Sequence, residues 1–393
     1  MLTAKQNFRE TVLGGNPDRL VNQYEAIQLC FGPASIFGPK MPGKGEPDAE
    51  ISWGVTYSFP ENVPGGFPVH TPDKIVIKDI EQWKTYLEPK RPRNTFTPEE
   101  WAVCKGMMDA IDGEKAYKAI FVAPGLFEQC HHTMSIEEAL MAYYEYPDEM
   151  HELINYFAEW ELEYAKGICE YLKPDMIFHH DDWGSELSSF LSPEMFREFF
   201  LEPYKKIYGY YKEHGVEFIV HHSDSYCANL VPTMIEMGID VFQGAMKSNN
   251  NPALIEKFGG KMTMMGEIDN KQVDFEGWTP ADCEKAAMQE KILSSLFQGS
   301  PFTFSGSRPT ASHSQGMTSL PSRSMRPQAV SSCISANPSW NTNRFSFSPG
   351  VNSLPSAFRT YHIPSRFTVI HSVSYLPTAS HSQVRISLPS RSR

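Results

Sequence analysis

Two short stretches of the chain share one pattern, and that pattern narrows the fold more than any other feature. Residues 175–185 read "DMIFHHDDWGS" and residues 216–225 read "VEFIVHHSDS". Each is a brief apolar run that stops at two histidines followed closely by aspartate. A run that is apolar throughout, without alternation, marks a strand of a parallel sheet covered on both faces. The segment between them fits. "SPEMFREFFLEPYKKIYGYYKEHG" places Ser192 as a helix cap, Pro193 at the first helical position and Gly215 as terminator. Upstream, "KAIFVAPGLFEQC" reads as a strand ending in glycine and Glu128. The stretch from Ser135 to Leu172 then reads as helical, with Ser135 and Glu138 as a capping pair. Downstream, "CANLVPTMIEMG", "DVFQGAM", "NPALIEKFGG" and "KMTMMGEID" read as helix, strand, helix and strand.

A repeated βα unit is either a doubly wound sheet or a barrel. No glycine-rich dinucleotide signal follows any of these strands, which weighs against the first. The expected class is therefore α/β, a (β/α)8 TIM barrel. In such a barrel the C-terminal ends of the strands gather at one mouth, the usual place for chemistry. The strand ends here supply Glu128, then His179, His180, Asp181 and Asp182, then His221, His222 and Asp224, then Gln243, then Glu267 and Asp269.

Composition divides the chain. Residues 1–291 contain all 47 acidic residues, whereas residues 292–393 contain no Asp, Glu or Lys and nine arginines. Serine makes up about a quarter of that tail. "PTASHSQ" and "SLPSRS" each occur in it twice, at the same offset of 68 residues. Residues 1–291 are thus expected to form the barrel, incomplete in its last strands. The tail is expected to be a disordered Ser/Arg/Pro-rich segment or a stretch translated out of frame. A frame-shifted gene would give a non-functional product. The net charge of −12 argues against a nucleic-acid partner. No apolar run approaches the roughly 20 residues needed to span a bilayer. The N-terminus lacks a signal-like apolar region, and the seven cysteines are scattered without a paired framework. The expectation is a cytoplasmic protein without a membrane partner.

At the mouth, His222 and Asp224 lie two apart and point to one side if the strand continues; His221 and Ser223 point to the other. His222 with Asp224 can bind a metal ion through nitrogen and oxygen, or act as an acid–base couple. His180 and Asp182 join them as catalytic candidates. Asp181, Glu128, Glu267 and Gln243 are the expected substrate-binding residues. Cys227 is placed at the start of the next helix, where a helix N-terminus lowers a thiol pKa. His131 and His132 read as loop residues and are set aside. Tyr143–Tyr144 and Tyr208–Tyr211 are expected to pack between helices and barrel.

The motifs "DDWGSELSSFLSPEMFREFFLEPYKKI", "HHSD", "MIEMGIDVFQGA" and "GGKMTMMGEID", with "VHTPDKIVIKDIEQWKTYLEP" upstream, resemble the uroporphyrinogen decarboxylase superfamily. The likeness covers about residues 15–280. It implies a (β/α)8 barrel and one of two activities: decarboxylation of a porphyrinogen or a smaller acid, or methyl transfer linked to a corrinoid protein. The decarboxylase grips its polyanionic substrate with an N-terminal arginine-rich segment. The matching "CFGPASIFGPKMPGKGEP" contains no arginine, so the resemblance points to the methyltransferase-like branch. That branch carries His-x-Cys for zinc after the strand. Here the matching positions are His222, Ser223 and Asp224, so aspartate stands for the thiolate. The implied cofactors are zinc, held through His222 and Asp224, and a corrinoid carried by a partner protein. The other reactants would be a small-molecule methyl donor or acceptor.

Overall fold

The computed structural model describes residues 1–266, apart from 20 and 64, and residues 277–286, apart from 284. Glu267, Asp269 and the whole tail from 292 to 393 lie outside the described residues. Six strands form one sheet: β1 (Ile27–Phe31), β5 (Tyr117–Val122), β6 (Met176–His180), β7 (Phe218–His222), β8 (Val241–Ala245) and β9 (Thr263–Gly266). Between β1 and β5 lies a separate antiparallel sheet of β2 (Ala49–Glu50), β3 (Thr56–Ser58) and β4 (Phe67–Pro68).

In the large sheet every pairing is parallel and the strands stand in sequence order. A doubly wound sheet would reverse direction part-way, so this order is that of a barrel wall. The pleat sorts the side chains by parity. Tyr117, Ala119, Phe121, Met176, Phe178, Phe218, Val220 and Val241 form one buried cluster inside the curve of the sheet. Ile120, Val122, Ile177, Ile219 and Phe242 face the surrounding helices in a second, larger cluster. The inner cluster is closed at the N-terminal ends of the strands by the helix Ala4–Val12, whose Phe8 packs on Tyr117 and Phe218 with ring centroids 5.5 and 6.1 Å apart. That helix is fixed by a capping box between Thr3 and Gln6.

Two sequence expectations change. The stretch from Ser135 forms two helices, Ile136–Glu145 and Pro147–Gly167, because Pro147 cannot donate back into the first and instead opens the second. Tyr143, Tyr208 and Tyr211 are buried as expected, but Tyr144 is 72% exposed. The strand β1 had no reading in the sequence. Its burial is irregular, with Gln28 and Phe31 exposed, which is why its pattern is weak. No helix among the described residues is long and apolar enough to cross a membrane.

Candidate active site

The inner positions at the C-terminal strand ends are polar. His180 of β6 and His222 of β7 are register partners, and their rings stack with centroids 4.5 Å apart. Asp182 follows in the loop after β6. Ligand atoms of His180, Asp182 and His222 all lie within 4.8 Å of one another, and all three residues are buried. Asp224 joins the group: its backbone N–H donates to Asp182 Oδ1 at 3.1 Å. The four residues expected to be catalytic are therefore brought to one place.

Each imidazole is anchored from behind. His180 Nδ1 meets Glu128 Oε2 at 3.0 Å, and His222 Nδ1 donates to Gln243 Oε1. Gln243 in turn donates from Nε2 to Gln23 Oε1 at 3.1 Å. These anchors fix both rings and leave both Nε2 atoms aimed inward. Both Nε2 atoms are buried and without a partner. A buried imidazole nitrogen with no partner is costly, and the arrangement, with the other nitrogen fixed by an acceptor, is the one metal-ligating histidines adopt.

Charge is unevenly spread over the cluster. Burial alone would push the His180 pKa down, but Glu128 and Asp182 reverse that and raise it to about 10. Burial raises Glu128 to about 7 against the pull of His180. Burial, then the neighbouring Asp182, lifts Asp224 well above the usual carboxylate range. Burial and the nearby His180 lower His222 to about 4, so its ring is neutral near pH 7.

Three expectations need correction. Asp181 does not face the cluster. It has odd parity, like His179 and His221, and turns outward into the helix layer, where it is fully buried and accepts four hydrogen bonds. Glu128 is not at a strand end but in the first turn of the helix Leu126–Thr133. It and Gln243, both expected to bind substrate, point at ring nitrogens and hold histidines. Cys227 precedes its helix, which starts at Val231, and burial pushes its thiol up to about 12. Glu267, the remaining candidate, lies outside the described residues.

Sequence reasoning missed His131 and His132. They lie on the helix Leu126–Thr133, buried rather than in a loop, three and four residues after Glu128 and so on its face. The spacing Glu-x-x-His-His was the available signal. His132 also stands edge-on to Tyr57 of β3, with centroids 5.9 Å apart. A surface cavity of about 360 Å³ beside Trp53, Arg91, Arg93 and Trp160 shares no lining residue with the cluster.

A family model described as uroporphyrinogen decarboxylase (URO-D) matches residues 52–295, more than half of the chain. The chain belongs to the uroporphyrinogen decarboxylase family. Among solved structures it is similar to a methyltransferase from Methanosarcina mazei, with 14% identity and a TM-score of 0.48 over 73% of this chain and 90% of that one. It is also similar to a 2,3-dimethylmalate lyase of the PEP mutase/isocitrate lyase superfamily, with 8% identity and a TM-score of 0.25 over 79% of this chain and 93% of that one. At those scores neither likeness bears on activity. No curated protein matches by sequence. The family match ends within a few residues of Lys291, the last lysine or carboxylate-bearing position before the tail.

In this member of the family the corner between β5 and its helix tolerates no added atom. A Cβ on Gly125 would lie 2.4 Å from the Asp181 Cβ and 2.6 Å from the Tyr204 hydroxyl. Gly125→Ala is expected to cost about 1–3 kcal/mol through overpacking. Denaturant midpoints of the two proteins check this, and equal midpoints would show that the corner yields freely.

Proposed function

We propose that the chain is an enzyme of methyl transfer whose acceptor or donor is a corrinoid held by a partner protein. The observation that carries this reading is the pair of unpartnered, buried Nε2 atoms on His180 and His222, two residues whose ligand atoms converge with that of Asp182. Two imidazoles and a carboxylate suit zinc or a similar divalent ion. The donor set expected from sequence, His222 with Asp224, shifts to His180, Asp182 and His222, with Asp224 next to it. When bound, the ion would supply Lewis-acid polarisation of a substrate heteroatom. The remaining work belongs to the chain. Glu128 and Gln243 hold the two rings in place. Asp224, whose backbone N–H bonds Asp182, stands beside the ligand set as the group to pass a proton to a heteroatom leaving its methyl group.

The stretch that matches the decarboxylase's arginine-rich segment carries no arginine, which supports methyl transfer over decarboxylation of a polyanion. Because an oxygen donor replaces the softer thiolate, zinc should bind one per chain and more weakly than in relatives that keep the cysteine. On the same reading the working domain ends near residue 291.

The test uses the purified full chain, zinc, free cob(I)alamin as acceptor, and a panel of methyl thioethers, methyl ethers and methylamines as donors. Formation of methylcobalamin that needs both chain and zinc is the expected result. Release of carbon dioxide from uroporphyrinogen, with no methylcobalamin from any donor, would replace this reading with a decarboxylase.

A further inference from the structure

Asp181 is the most heavily bonded side chain near the cluster, yet it does not touch it. Its Oδ1 accepts from the backbone N–H of Glu128 at 2.8 Å, and its Oδ2 from that of Phe127 at 2.9 Å. Oδ2 also accepts from Trp183 Nε1 at 2.8 Å and from the Tyr204 hydroxyl. The Tyr204 oxygen accepts in turn from the backbone N–H of Leu126 at 2.8 Å. Three successive N–H groups at the start of the helix Leu126–Thr133 are thereby satisfied by one carboxylate and one phenol. Neither group belongs to that helix or its preceding strand. This helix has no side-chain cap of its own, since its cap position is Gly125. An orphan first turn is what an outside acceptor can fix.

Glu128 sits in that first turn and anchors His180 Nδ1. We propose that Asp181 is a positioning residue for the cluster: it sets the first turn, the first turn sets Glu128, and Glu128 sets the plane of the His180 ring. Tyr204 extends this line to the outer helix Pro193–Glu213. The inference rests on the reading that His180 Nε2 is a metal ligand. Asp181 and Asp182, neighbours in sequence, would then serve one ion from opposite faces of the wall, one by orienting a ligand and one by being a ligand.

The experiment measures zinc affinity by competition with a chromophoric chelator, and the visible spectrum of the cobalt(II)-loaded protein. It compares the full chain with Asp181→Asn, Glu128→Gln and the double variant. In Asp181→Asn an amide nitrogen faces N–H donors. Each single variant is expected to weaken zinc binding by about 10–100-fold and to change the cobalt bands, as loss of a ligand's supporting partner does. Because both act through one ring, the double variant should bind no more weakly than the weaker single. If Asp181→Asn does not fold, Tyr204→Phe, which removes one donor to Asp181, should weaken binding in the same direction by a smaller factor. Losses that multiply in the double variant overturn the proposal. So does an Asp181→Asn protein that melts earlier yet keeps the affinity and cobalt spectrum of the parent. If the parent chain binds neither ion, the metal reading falls and this inference falls with it.

Discussion

His222→Ala should bind zinc at least about 100-fold more weakly than the parent chain, because it removes a ligand where loss of an outer partner alone costs about 10–100-fold. Methyl transfer should fall with it below detection. The melting temperature of the metal-free protein should move little. The ring is buried, but it bonds only Gln243 at one nitrogen and nothing at the other, and Gln243 keeps its bond to Gln23. Asp224→Ala separates the two ways of reading the pair. Asp224 is not one of the three residues whose ligand atoms converge. Its loss should leave most of the zinc affinity and remove turnover by about 100-fold or more, as loss of a positioned proton carrier does. Isothermal titration with zinc and the cob(I)alamin assay measure the two effects. An Asp224→Ala protein that no longer binds zinc would return Asp224 to the ligand set, as the sequence suggested.

Glu161→Leu should cost about 3–5 kcal/mol, the largest stability effect expected of any single change here. Glu161 lies in the helix Pro147–Gly167, and its Oε1 meets His179 Nε2 at 2.9 Å with the two side chains 1% and 0% exposed. Glu161 Oε2 and His179 Nδ1 are both buried without partners. Removing the carboxylate strands a whole imidazole in an apolar layer of Tyr204 and Tyr208 rings. Replacing both partners by apolar residues should recover most of the loss, since a buried pair often adds little over well-packed hydrocarbon. Chemical denaturation of Glu161→Leu, His179→Leu and the double variant forms the cycle. A double variant no more stable than the worse single would mean that the pair contributes through the rest of its surroundings. Zinc affinity should be the same in all three, because His179 is on the outer face of β6.

That last contrast marks what the residues alone could tell. The doublets His179–His180 and His221–His222 each look like one motif, but the pleat sends the second member inward and the first outward. The sequence supported this for His221 and His222 and placed all four catalytic candidates where they meet. It also indicated the order of strands, because five of the six read as short, largely apolar runs. What it could not supply was the depth at which a polar side chain sits. Asp181 and Asp182 are adjacent and identical, and the alternation that turns His179 outward continues past the strand, so that one caps a helix while the other faces the cluster. Glu128 was taken for a strand end because the apolar run reads on through glycine to it, whereas the strand stops at Val122 and a helix starts at Leu126. His131 and His132 were lost with that boundary. The strand β1 was missed for the opposite reason: its exposed Gln28 interrupts the apolar run on which the other strands were recognised.

The aromatic packing around Phe8 has a consequence for traffic. With Phe8, Tyr117 and Phe218 packed together at the N-terminal ends of the strands, that end is closed among the described residues. On the methyl-transfer reading proposed above, a small reactant and a protein-borne one would both approach His180 and His222 from the opposite, C-terminal end of the strands, and the larger one would cover it. The small reactant would then have to be in place before the larger one docks, so the order of arrival and departure would be a property of the architecture rather than of either reactant's affinity.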